Sequence, residues 1–203
     1  MGCFITFEGI DGSGKSTQAR LLADRMQAEG HDVVLTREPG GSPGAEEIRR
    51  LLVEGEPGRW SAATEVLLFT AARRDHVERT IRPALDRGAL VISDRYLDST
   101  RAYQGAGPLR TAVELLHSEM IAVMPDVTLI FDIDPQLGLS RAGARAGIET
   151  RFEAKGIAFQ NDLRIAFRDI AAAEPDRCVL VDAEGSADDI AARVWSAVSG
   201  RLG

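Results

Sequence analysis

The sequence predicts an α/β fold: a five-stranded parallel sheet covered by helices on both faces. Three observations predict it. Five short apolar runs, Phe4–Glu8, Val33–Thr36, Leu90–Ser93, Val127–Ile133 and Cys178–Asp182, alternate with longer helical patterns. Those runs are continuously apolar rather than alternating, which marks strands covered on both sides and therefore parallel. A glycine-rich turn, Gly9–Ser16, sits between the first run and the first helix. A length of 203 residues suits one domain with a sizeable core, so residues 1–203 are read as a single domain.

Composition narrows the class. Hydrophobic content of 44% and charged content of 27% are those of an ordinary globular chain, and no apolar run is long enough to cross a bilayer. No secretory leader is read ahead of the first strand, so a cytoplasmic protein is expected. The opening Met1-Gly2-Cys3-Phe4-Ile5-Thr6 formally fits an acylation pattern, but its residues are needed as the first buried strand. A net charge of −7 argues against non-specific nucleic-acid binding, so anionic ligands must be held by cations gathered locally. Only Lys15 and Lys155 are lysines among 24 basic residues, and position must decide which arginines matter. Cys3 and Cys178 stand at strand starts without metal spacing, as in a reducing compartment.

In chain order, Phe4–Glu8 is the first strand and Gly9-Ile10-Asp11-Gly12-Ser13-Gly14-Lys15-Ser16 fits G-x-x-x-x-G-K-[ST], the phosphate-binding loop. Its glycines let backbone N–H groups converge on phosphate oxygens. Lys15 supplies charge to β- and γ-phosphates, and Ser16 offers a hydroxyl to Mg²⁺. The helix expected to start near Gly14 adds the partial positive charge of its N-terminus. A nucleoside triphosphate is thus expected across Gly9 to Thr17, in a three-layer P-loop NTPase fold.

The second strand leads into Arg37-Glu38-Pro39-Gly40-Gly41-Ser42-Pro43-Gly44, too rich in glycine and proline to be helical. Ala45–Val53 is a helix bearing Arg49 and Arg50, which face different ways, so at most one meets a ligand; a solvated pair is the alternative. Ala62–Arg87 is a long helical stretch that Pro83 should kink or divide. On it Phe69 and Arg73, four residues apart, share a face suited to a flat heterocycle; core packing plus an ion pair is the alternative.

The third strand ends in Asp94-Arg95-Tyr96. Asp94 can hold a magnesium-bound water, and Arg95 can fork onto phosphate oxygens. Leu97–Gly105 is a polar, aromatic helical segment ended by glycine. Asp134-Pro135 begins another helix, which runs into Ser140–Arg151, where small residues space Arg141, Arg145 and Arg151. Such a segment suits a small mobile lid, about 140–155, as well as it suits a solvated loop. Asp182-Ala183-Glu184-Gly185 formally matches a GTPase switch element at the wrong end of the sheet, and a turn beside an adenine ring is the better reading. His31, His76 and His117 have neither ligand spacing nor a nucleophile partner and are assigned no chemistry.

Taken together, Phe7–Thr17, Thr36–Gly41, Glu65–Arg73, Asp94-Arg95-Tyr96, Ser99-Thr100 with Ala102-Tyr103-Gln104-Gly105, and the arginine-bearing segment to Arg151 resemble thymidylate kinases, in family order. The resemblance implies transfer of the γ-phosphoryl group of MgATP to dTMP, giving dTDP. It implies that Asp11 lies near the 3′-hydroxyl of dTMP, that Phe69 stacks on thymine and that Arg73 hydrogen-bonds it. It further implies base contacts from Thr100 and Gln104, Tyr103 crowding C2′, and a dTMP site that includes Glu38 and Pro39. Arg49 and Arg95 would grip the acceptor phosphate. With no base between Ile10 and Ser13, the chain resembles the bacterial form whose catalytic arginine comes from the lid; Arg145 leads Arg141 and Arg151. Lys15 and Arg95 would complete the catalytic set, with Ser16 and Asp94 around Mg²⁺. A cytoplasmic homodimer without nucleic-acid or membrane partners is implied as well. A kinase acting on a nucleoside 5′-hydroxyl, with Glu38 as base, and a nucleotide-operated switch are the competing readings.

Overall fold

In a computed structural model, residues 2–56, 58–143 and 156–201 are described. Five parallel strands form one sheet in the order β2-β3-β1-β4-β5: β1 (Cys3–Gly9), β2 (Val33–Arg37), β3 (Leu90–Asp94), β4 (Val127–Asp132) and β5 (Cys178–Asp182). All five expected strands are present, with ends shifted by at most a residue. The continuous-burial argument holds for β1, β3 and β4; the edge strands expose Leu35 and Leu180, because each lacks a neighbour on one side.

Nine α-helices are described: α1 (Lys15–Ala28), α2 (Pro43–Val53), α3 (Ala62–His76), α4 (Arg82–Asp86), α5 (Leu97–Tyr103), α6 (Leu109–Met120), α7 (Pro135–Gly143), α8 (Gly156–Ala173) and α9 (Ala187–Val198). Alternation along the central strands divides the core. Ile5 and Phe7 of β1, Ile92 of β3 and Leu129 of β4 pack with Leu22 and Met26 of α1 and with Phe167 and Val194. Phe4 and Val91 pack instead with Val66, Val77, Ile81, Tyr96 and Val113. Burying side chains of this size is worth about 1.5–3 kcal/mol each.

Pro83 does not divide the long helical stretch where it stands. The helix widens just before it into a π-helical turn, Val77–Ile81, in which the Arg82 N–H reaches the Val77 carbonyl. Proline has no N–H to continue the i to i−4 ladder, and the wider turn carries the chain past it. Of the expected lid, Ser140–Gly143 complete α7, and the remainder lies outside the described residues. Among the described residues no helix is long and apolar enough to cross a membrane.

Register decides where the chemistry gathers. Phe7 pairs with Asp94 and Gly9 with Phe131, so the carboxyl ends of β3, β1 and β4 end together. Ligands of open parallel sheets bind beyond such ends.

Candidate active site

The loop after β1 begins the site. Gly12 (φ +77°) lies so close to the backbone of Gly138 in α7 that an added Cβ would fall 1.9 Å from its carbonyl oxygen. Gly14, at φ +92°, caps α1 in the left-handed region, which lets the chain turn straight into the helix. Lys15, the first residue of α1, is buried, and its Nζ donates to the Ile10 carbonyl at 2.8 Å and Ser13 Oγ at 3.3 Å. Burial and the neighbouring Arg95 charge lower the Lys15 ammonium to about 8, partly offset by Asp94, Asp11 and Glu8. The loop therefore concentrates N–H groups, a helix N-terminus and an ammonium at one point, with Thr17 in the first turn of α1.

Ser16 Oγ donates directly to Asp94 Oδ2 at the end of β3. Two hard oxygen donors side by side at the mouth of a phosphate loop fit Mg²⁺, which typically takes one or two protein oxygens and fills its shell with phosphates and water. Among the described residues no cluster of three or more His, Cys, Asp or Glu side chains could hold a metal ion.

Arg95 follows in a left-handed backbone conformation, φ +72°. Its guanidinium turns back to the loop: Nη1 donates to Gly9 O at 3.2 Å and Ser99 Oγ at 2.9 Å, and Nη2 meets Asp11 Oδ1 at 2.5 Å. Burial would raise the Asp11 carboxyl, but the Arg95 and Lys15 charges outweigh it and hold the group below its ordinary value. Tyr103, two turns along α5, places its hydroxyl 3.5 Å from both Asp11 Oδ2 and Arg95 Nη2.

A second cluster lines the same end of the sheet. Arg73 of α3 is 3% exposed, so the alternative of a buried ion pair describes it as it stands. Its Nε donates to Glu38 Oε2 at 2.7 Å, and its Nη2 to the Tyr96 carbonyl at 3.0 Å and Thr100 Oγ1 at 2.9 Å. Glu38 also meets His76 Nδ1 at 3.0 Å, and His76 Nε2 pairs with Thr36 Oγ1 at 2.8 Å. Against burial, the Arg73 charge and the His76 contact lower the Glu38 carboxyl below its usual range. Phe69 lies one turn before Arg73, half-buried. Arg49, half-buried on α2 beside an exposed Arg50, donates to the Pro39 carbonyl, so Arg49 is the one of the pair turned inward. Gln104 caps α5, and its Nε2 donates to Glu65 Oε2 at 3.1 Å.

Arg95 thus joins the loop after β1 to the end of β3 and to Ser99 and Tyr103 of α5, and Arg73 joins α3 to Glu38 after β2 and to Tyr96 and Thr100. Arg141, in the last turn of α7, donates to the Ala183 carbonyl at 3.2 Å, beside the turn after β5. Arg145 and Arg151 lie outside the described residues. Sequence reasoning missed Glu8, Glu65 and the support that His76 gives Glu38. For Glu8 a signal existed: an acidic residue within a buried apolar strand must find donors.

Comparison with known proteins identifies the family. A family model described as Thymidylate kinase matches residues 7–194. The chain is 60% identical over 199 residues to a thymidylate kinase of Ruegeria pomeroyi, covering 97% of this chain and 94% of that one. It is 55% identical over 205 residues to one of Caulobacter vibrioides, covering 100% and 98%. The crystal structure of thymidylate kinase from Ehrlichia chaffeensis is similar at 36% identity with a TM-score of 0.77, over 96% of this chain and 97% of that one.

Proposed function

The chain belongs to the thymidylate kinase family, and from that premise we propose how its residues divide the work of moving a phosphoryl group from ATP to dTMP. The reaction is γ-phosphoryl transfer giving dTDP and ADP, a step of dTTP synthesis. One observation carries the assignment of roles: Arg95 reaches from the end of β3 to both Gly9 and Asp11 of the phosphate loop. An arginine held there can grip an acceptor phosphate next to the donor.

In this reading Gly9 to Thr17 wrap the ATP phosphates, with Lys15 between the β- and γ-groups. Arg95 and Arg49 hold the phosphate of dTMP. Phe69, Arg73, Thr100 and Gln104 face thymine, with Glu38 and Pro39 behind them. Asp11 and Tyr103 lie against the sugar, near the 3′-hydroxyl and C2′. The attacking oxygen belongs to a phosphate already anionic near neutral pH, so no general base is needed and catalysis is positioning plus charge stabilisation. Ser16 and, through water, Asp94 would hold Mg²⁺, which when bound neutralises charge on the β- and γ-phosphate oxygens. A small lid of about residues 140–155, on a single domain of 1–203, supplies the remaining cation, Arg145 ahead of Arg141 and Arg151.

Two further features support a cytoplasmic homodimer. The free cysteines Cys3 and Cys178 suit a reducing compartment. Leu67 of α3 and Leu115 and Met120 of α6 are each more than half exposed, and Arg74 of α3 donates to the Met120 carbonyl at 2.6 Å, which sets the two helices side by side. That apolar face suits a second copy.

The experiment is a coupled ADP-release assay across dTMP, dUMP, UMP, CMP, AMP and thymidine. dTMP is expected to be the best acceptor and thymidine inert. Turnover of thymidine in preference to dTMP would replace this reading with a kinase acting on a 5′-hydroxyl.

A further inference from the structure

Glu8 is an acid in the middle of the sheet. It is fully buried near the end of β1, on the strand face shared by Phe4 and Thr6. A carboxylate taken from water is strongly disfavoured unless donors meet it. Two do: Tyr96 N–H at 2.7 Å on Oε1 and Ser99 O–H at 2.5 Å on Oε2. Burial and the nearby Asp98 charge push the Glu8 carboxyl up to about 7, against the pull of Ser99, Arg95 and Tyr96.

Those donors bracket Arg95. A non-glycine residue in the left-handed region is strained and persists only where its surroundings over-determine it. Around Arg95 they do. Its own N–H donates to Phe7 O at 2.9 Å, its carbonyl accepts from Ser93 Oγ at 2.8 Å, and the next N–H is held by Glu8. The side chain is fixed through the same carboxylate. Ser99 gives its only proton to Glu8, so its oxygen is left as an acceptor for Arg95 Nη1 at 2.9 Å.

We propose that Glu8 is a positioning residue for the acceptor phosphate: through Tyr96 it holds the backbone of Arg95, and through Ser99 it aims the guanidinium. The inference deepens, and rests on, the reading of Arg95 as the ligand of that phosphate. A glutamine at this position keeps the shape and the Tyr96 contact. It sets an N–H against Ser99, however, and turns that hydroxyl's proton towards Arg95.

The test compares steady-state kinetics of Glu8→Gln, Ser99→Ala and the double variant with the parent, with Arg95→Lys as control. Glu8→Gln is expected to raise the KM for dTMP about tenfold and lower kcat, with the KM for ATP within about twofold. Ser99→Ala should shift the same constants in the same direction, and the double variant should be no worse than Glu8→Gln, since both act along one path. Constants for dTMP within about twofold of the parent in both single variants would overturn the proposal, as would an equal rise in both KM values. Should Glu8→Gln fail to fold, Ser99→Ala decides by the same criteria. An unchanged KM for dTMP in Arg95→Lys would instead overturn the role given to Arg95 itself.

Discussion

Arg73 and Glu38 form an ion pair at 2.7 Å with both side chains at most 4% exposed, linking α3 to the segment after β2. Neither charge has water to fall back on. Removing one partner of such a pair leaves the other uncompensated, at a cost of about 3–5 kcal/mol. Glu38→Ala is therefore expected to unfold at markedly lower denaturant concentration, and Glu38→Gln, which keeps an acceptor, to lose less. The pH dependence follows from the lowered Glu38 carboxyl. A depressed carboxylate contributes stability above its unfolded value, about 4.3, that is lost as pH falls through the folded value. Urea titrations of the parent and Glu38→Gln should converge in acid. Parallel curves from pH 7 to acid would remove Glu38 as the source.

Of the three arginines proposed for the lid, Arg141 is the one among the described residues. Arg141 donates to the Ala183 carbonyl, against the turn after β5; if that turn flanks adenine, Arg141 serves the ATP side. Arg145→Ala is expected to reduce kcat by a factor on the order of 10³, the scale of arginine fingers elsewhere, with the KM for dTMP little changed. Arg141→Ala should act mainly on the KM for ATP. Losses below about tenfold for Arg141, Arg145 and Arg151 singly and together would contradict a lid-supplied cation.

How much of this was legible in the sequence varied with the range of the interaction. The strand runs and the Gly9–Ser16 loop are local patterns, and their ends fell within a residue of expectation. The spacing of Phe69 and Arg73 placed both on one helix face, yet nothing local showed that Arg73 spends its donors on Glu38, Tyr96 and Thr100. Those partners lie 23 to 35 residues away and meet only through the sheet register. His76 carried no signal for the same reason, since its partners Thr36 and Glu38 come from the β2 end. The π-helical turn before Pro83 was legible as a disturbance but not in its form, because proline forbids one hydrogen bond without dictating what replaces it.

Glu65 fixes which end of the Gln104 amide faces away from it. By accepting from Nε2 at 3.1 Å, it leaves Gln104 Oε1 as the acceptor available to a base. Thymine has a donor at N3 and cytosine an acceptor. Glu65→Gln lets both amides flip together, so Gln104 can present its NH₂ instead. The ratio of kcat/KM for dTMP over dCMP is expected to fall by about tenfold, with the KM for ATP unchanged. Equal ratios in parent and variant would mean that Gln104 does not read the base edge.

His117 sits near the end of α6, 6% exposed, with neither ring nitrogen hydrogen-bonded among the described residues and its ring edge-on to Tyr96 at 5.9 Å. Burial, with Arg73 and Arg101 adding to it, lowers the imidazole to about 4. The folded protein therefore holds this histidine neutral where the unfolded chain, titrating near 6.5, takes up a proton. Stability attributable to the neutral ring is fully present above about pH 6.5 and is lost as pH falls towards 4, by an amount on the order of 3 kcal/mol. His117→Phe keeps the aromatic contact with Tyr96 and cannot protonate. Its unfolding free energy should fall less steeply between pH 6.5 and 4 than that of the parent, while the two run parallel above pH 7. Equal slopes across the acid range would show that His117 finds a partner or water when charged, and that the acid lability lies elsewhere.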